Sequence, residues 1–114
     1  MDTIVQAKRV LEIFKEMSQI PRESGNEKGI SDYIVNFAKN LGLEVHQDEI
    51  FNVVIKKAAS PGYENRPSII LQGHIDMVCV KDHDSNHDFA KDPIANIIEG
   101  EWMRADHTTL GADN

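Results

Sequence analysis

Cys79 is the only cysteine in 114 residues, so no disulfide can close within the chain, and a reducing compartment fits it. Basic clusters are missing as well. The 12 Lys and Arg residues are scattered among 19 Asp and Glu, for a net charge of -7, which speaks against an electrostatic grip on nucleic-acid phosphates. No apolar run approaches the roughly 20 residues that a membrane span needs. The start, Met1-Asp2-Thr3-Ile4, has neither the basic nor the apolar region of a secretory signal. Internal repeats, linkers and low-complexity segments are absent too. These absences leave a cytoplasmic globular protein with no nucleic-acid or membrane partner, and its 40% hydrophobic content suffices for one small core.

What is present reads as helices mixed with strands. Over residues 3–18, Ala7, Val10, Leu11, Phe14 and Met17 recur at three- and four-residue spacing, which puts them on one helical face aimed at a core. Pro21 follows the stop. Ser24 and Glu27 have the spacing of a capping box for a second helix, striped by Ile30, Ile34, Phe37, Ala38 and Leu41. Gly42 is placed to end it in the left-handed conformation. Leu43 and Val45, then residues 50–55, suggest two short strands broken near Gln47-Asp48-Glu49. Ser60-Pro61-Gly62 and Asn65-Arg66-Pro67 mark a turn and a loop. Residues 68–71, Ser-Ile-Ile-Leu, predict a strand buried on both faces. Residues 81–92 form a polar, acidic loop, and residues 94–98 and 102–103 flank a Glu99-Gly100 turn as further strands. The class is α/β.

The apolar run ending in Gln72-Gly73 delivers His74 and Asp76 at the C-terminal end of that predicted strand. Their spacing puts both side chains on one side, where α/β sheets place their active sites. An imidazole is a common metal ligand, and a nearby carboxylate can fix its tautomer. Gly73, without a Cβ, lets other groups approach. Taken alone, this pair is equally a hydrogen-bonded strand end or half of a metal site.

Two stretches decide between those readings. Leu71-Gln72-Gly73-His74-Ile75-Asp76-Met77-Val78-Cys79 and Ala105-Asp106-His107-Thr108-Thr109-Leu110-Gly111-Ala112-Asp113-Asn114 together resemble the aminoacyl-histidine dipeptidases, also called Xaa-His or cytosol non-specific dipeptidases, of the co-catalytic zinc peptidase and aminoacylase clan. His87-Asp88-Phe89, Lys91-Asp92-Pro93 and the helix over residues 30–41 continue the resemblance along nearly the whole chain. It implies the N-terminal part of a mixed-sheet, three-layer zinc-peptidase catalytic domain, residues 1–114, with the general base, the other ligands and a lid or dimerisation domain lying further along. By this resemblance His74 is a ligand of one metal, Asp113 is the carboxylate bridging two, and Asp76 is the catalytic aspartate behind the histidine. The cofactors implied are two divalent ions, zinc first, with Co2+ or Mn2+ as alternatives. Two close ions lower the pKa of a shared water.

The implied reaction is hydrolysis of dipeptides, Xaa-His among them, by a parent enzyme that is optionally a homodimer, while the chain alone is expected to be inactive. An N-acyl amino acid hydrolase of the same clan, or a non-catalytic module keeping the fold, are the alternatives. The resemblance departs at His107, where the family usually has glycine. Histidine tolerates a left-handed turn less well than glycine does, so either the loop differs or His107 adopts that conformation.

Other candidates have plainer readings. His83 and His87 have the spacing of a helical metal pair, but Asp82, Asp84, Ser85 and Asn86 around them favour a solvated loop. Cys79 lies in an apolar run and reads as a small buried hydrophobe rather than a nucleophile. His46 is expected to face solvent or a neighbour, and Phe14, Phe37 and Trp102 to be packing residues.

Overall fold

The computed structural model describes residues 2–114. Helix α1 spans Thr3–Ser18, the predicted bounds. Asp2 caps its start, its Oδ1 accepting from the Ile4 amide at 3.0 Å. Its other end is fastened to the body. The Ser18 carbonyl accepts from the Ile94 amide at 2.8 Å, and its hydroxyl accepts from Asn96 Nδ2 at 3.2 Å. Only this last turn meets the body closely, which corrects the expectation of a fully buried stripe. Ser18 is buried and Phe14 and Met17 are half-buried, whereas Ala7, Val10 and Leu11 face solvent.

Helix α2 spans Lys28–Asn40, and no capping box forms. Glu27 is the N-cap residue without a side-chain cap; its Oε1 instead accepts from the Gly25 amide at 2.6 Å, and Ser24 turns to Asp76. The far end matches expectation. Gly42 has φ 71°, its amide donates to Lys39 O at 2.9 Å and that of Leu43 to Ala38 O at 3.0 Å, the paired bonds of a Schellman motif. Ile30 and Ala38 are buried and Leu41 is exposed.

Strands β1, Glu44–Gln47, and β2, Val53–Lys56, pair antiparallel with Val45 opposite Ile55. The predicted break between them is a loop organised by Asp48, whose Oδ1 accepts from the amides of Ile50 at 3.1 Å and Asn52 at 2.8 Å. This hairpin leans on α2: Ser31 Oγ donates to Phe51 O at 2.8 Å and accepts from Gln47 Nε2 at 2.7 Å. Strands β3, Asn96–Glu99, and β4, Trp102–Ala105, form a second antiparallel hairpin around Gly100. Trp102 is 81% exposed, so it does not pack as expected.

Helices and strands thus mix as the sequence indicates, in two separate two-stranded sheets. The buried strand over residues 68–71 is the clear correction. Ile69, Ile70 and Leu71 are 84%, 90% and 92% exposed, and the segment pairs with no strand among the described residues. Their continuous apolarity suits a strand with neighbours on both sides, and no described segment supplies them. The core is correspondingly small: Met77, Ile94 and Ala105, with Cys79, Phe89 and Leu110 packed around them. A radius of gyration of 16.5 Å exceeds the roughly 13 Å of a compact domain this long. No helix among the described residues is long and apolar enough to cross a membrane.

Candidate functional site

Three segments converge beside the small core. The stretch after Pro21 runs parallel to the His74 segment, bridging Glu23 to Met77, with the Met77 amide donating to Arg22 O at 2.9 Å. The segment over residues 107–111 lies along residues 78–82. The Thr109 amide donates to Val80 O at 2.8 Å, and its hydroxyl donates to Val78 O at 2.6 Å. This alignment carries Asp113 back to His74.

The His74 ring is held from one side only. Its Nδ1 lies 2.9 Å from Asp76 O and 3.0 Å from Asp76 Oδ1. Both are acceptors, so Nδ1 carries a proton, which in the neutral ring leaves the lone pair on Nε2. That Nε2 lies 3.5 Å from Asp113 Oδ2. Two donors on one tetrahedral zinc, each about 2.1 Å from it, stand about 3.4 Å apart, so the spacing suits two ligands of a shared ion. The remaining Asp76 oxygen accepts from the Ser24 hydroxyl, and Asn114 Nδ2 donates to Asp76 O at 3.1 Å. Hydrogen bonds from Ser24, and then from His74, hold the Asp76 carboxyl below its usual range, and the same Asp76 bond pushes the His74 pKa up. Among the described residues no cluster of three or more metal-ligating side chains forms. The structure therefore brings His74, Asp76 and Asp113 together.

Sequence reasoning missed Arg22 and misassigned Ser24. Ser24 carried the signature of a helix cap, which competed with the correct partner. Arg22 carried no periodic signal. Its side chain is 1% exposed, and Nη2 donates to Gly111 O at 2.8 Å. The only hint was its place directly after Pro21, outside either helical stripe.

His107 does adopt the left-handed conformation, with φ 57°. Its Nδ1 lies 2.7 Å from Asp82 Oδ2, and its carbonyl accepts from the Asp82 amide at 3.0 Å. These contacts give the turn a use for an imidazole, and they engage it away from His74. The Asp82 bond, helped by Asp106, raises the His107 pKa. A raised folded-state value means that this stabilisation is complete below about pH 6.5, the unfolded value, and is lost as pH rises through the folded one. Asp82→Asn is expected to lower the NMR titration midpoint of His107 towards that ordinary value; an unchanged midpoint would rule out the pairing.

The plainer readings of the remaining histidines and of Cys79 fare well. His83 is exposed in a loop, and the His87 ring packs on Phe89 with centroids 4.6 Å apart. His46 faces solvent beside Glu44. Cys79 is half-buried, and desolvation pushes its thiol pKa up, which suits packing rather than nucleophilic attack.

In sequence and fold the chain resembles peptidase-type hydrolases. No protein-family model matches the chain. Cytosol non-specific dipeptidase from Escherichia coli K12 is 48% identical over 103 residues, 90% of this chain and 21% of that protein. The crystal structure of aminoacylhistidine dipeptidase from Vibrio alginolyticus superposes with a TM-score of 0.85 at 47% identity, again over 90% of this chain and 21% of that one. A LysW-lysine/LysW-ornithine hydrolase from Pyrococcus furiosus is 28% identical over 76 residues, 66% of this chain and 22% of its own length. Sequence and structure thus make the chain a relative of the cytosol non-specific and aminoacylhistidine dipeptidases, and it spans about a fifth of their length.

Proposed function

We propose that the whole protein to which this chain belongs is a cytoplasmic metallo-dipeptidase that hydrolyses dipeptides, Xaa-His among them, with His74 and Asp113 holding metal. The observation that carries this reading is the 3.5 Å approach of His74 Nε2 to Asp113 Oδ2, made while Nδ1 is committed to Asp76. Bound divalent ions, zinc first, would supply an activated water and polarise the scissile carbonyl. The residues here would do the holding. In its neutral form His74 would present the lone pair of Nε2, because Asp76 takes the proton side of the ring. Asp76 is itself kept anionic and oriented by Ser24. Asp113 offers two carboxylate oxygens, enough for two cations.

The test is product analysis with the whole protein on a dipeptide panel that includes C-terminal histidine, run beside N-acetyl amino acids. Release of free amino acids from the dipeptides, abolished by a chelator and restored by zinc, supports the reading; cleavage of the N-acetyl substrates alone would reject it. The isolated 114-residue chain, offering two donors where such a zinc site takes more, is expected to release no amino acid from any of them. Zinc-dependent turnover by that chain would contradict this expectation.

A further inference from the structure

We infer that Arg22 is a positioning residue, whose guanidinium fixes the Gly111 carbonyl and thereby places Asp113 opposite His74. The inference rests on the metal-site reading above and adds a residue to it. Arg22 is itself anchored, since its carbonyl accepts from the Met77 amide, next to Asp76. Its side chain then spans to the other half of the site at Gly111. Beyond residue 110, the hydrogen bonds tying the described chain to the rest are this one and that of Asn114 to Asp76. Asp113 is a largely exposed side chain without a hydrogen bond of its own, so its position follows from the holds on either side of it, at Gly111 and at Asn114.

Gly111 is shaped to the contact. A Cβ on it would lie 3.0 Å from Arg22 Nη1, 3.1 Å from Nη2 and 2.9 Å from Met77 Sδ. The guanidinium thus sits against bare backbone, at a distance that a side chain there would prevent. A packing role alone explains little of this, because a buried guanidinium is a poor space-filler. Its Nε and Nη1 have no hydrogen-bond partner, and a buried charge without full hydrogen bonding is destabilising. Methionine would fill the same space without that penalty. Desolvation lowers its pKa, opposed by the negative charge that Cys79, Asp113 and Asp76 can carry. Arg22 thus joins the two halves of the site, one through its guanidinium and the other through its backbone.

The test compares Arg22→Met with the unmodified whole protein, and His74→Ala serves as the control for the underlying reading. Zinc affinity is measured by chelator competition, kcat and KM on a dipeptide, and folding by circular dichroism. Loss of a group that supports a ligand is expected to weaken zinc binding and lower kcat by roughly 10–100-fold, with KM little changed and the fold retained. A folded Arg22→Met protein with zinc affinity and kcat within about threefold of the parent, well short of that range, would overturn the inference. If His74→Ala also kept its zinc, the metal-site reading itself would fail; if His74→Ala lost zinc while Arg22→Met kept it, only the Arg22 inference would. Should Arg22→Met not fold, Arg22→Lys carries the test by the same criteria, because it keeps the stem and the charge but not the planar fork.

Discussion

Replacing His74 by alanine in the whole protein is expected to abolish dipeptide hydrolysis and remove bound zinc while leaving the fold intact. The side chain is 47% exposed, so its truncation opens no cavity. What disappears is the Nε2 donor 3.5 Å from Asp113, and neither His107, engaged with Asp82, nor His87, packed on Phe89, is free to take its place. Removing a group that only supports a ligand lowers metal affinity or activity by roughly 10–100-fold. Loss of the ligand itself is expected to exceed that range. Asp76→Asn provides the graded comparison: it spares Nε2, weakens the hold on Nδ1, and is expected to fall inside the range. Metal analysis and initial rates on the same samples check both variants. Near-parental turnover with full zinc in His74→Ala would end the assignment.

Gly111→Ala is expected to have the largest effect on stability. Gly111 has φ 72°, and a side chain in the left-handed region costs about 1–2 kcal/mol. The added methyl would also meet Met77 Sδ at 2.9 Å and the Arg22 guanidinium at 3.0 Å. Both neighbours are buried, so they have little room to retreat, and such overpacking typically adds about 1–3 kcal/mol. In a chain of this size each kcal/mol lowers the melting temperature by roughly 4 °C, so a fall of about 8 °C or more is the expected result of a thermal melt of the 114-residue chain. A shift of less than about 2 °C, under 1 kcal/mol by that conversion, would mean that the guanidinium does not press on this glycine.

Features set by local chemistry were readable from the sequence. The bounds of α1, the glycine stop of α2 and the two hairpins all follow from periodicity and from residues with special backbone preferences. The approach of His74 to Asp76 follows from their spacing in an extended chain. Features set by partners distant in sequence were not. Residues 69–71 are apolar enough for a buried strand, but burial needs neighbours, and no described segment covers them. Ser24 had two possible partners, the backbone of its own helix or a carboxylate 52 residues away, and sequence proximity favours the wrong one. Arg22 acts across 89 residues, a relationship that no local pattern encodes. Asp113 came from a resemblance, and the return of its loop to His74 depends on Thr109 bonding to Val78 and Val80, which spacing does not announce.

That wide separation sets an order of events during synthesis. The contacts of α2 with the β1–β2 hairpin are local and can form early, whereas those joining Arg22 to Gly111 and His74 to Asp113 must wait for residues 111 and 113. At roughly 5–20 residues per second of translation, the imidazole is made on the order of seconds before the carboxylate that faces it. In that interval His74, Asp76 and Ser24 can already be joined, so a nascent chain would carry the orienting half of the site ahead of the loop that completes the pair.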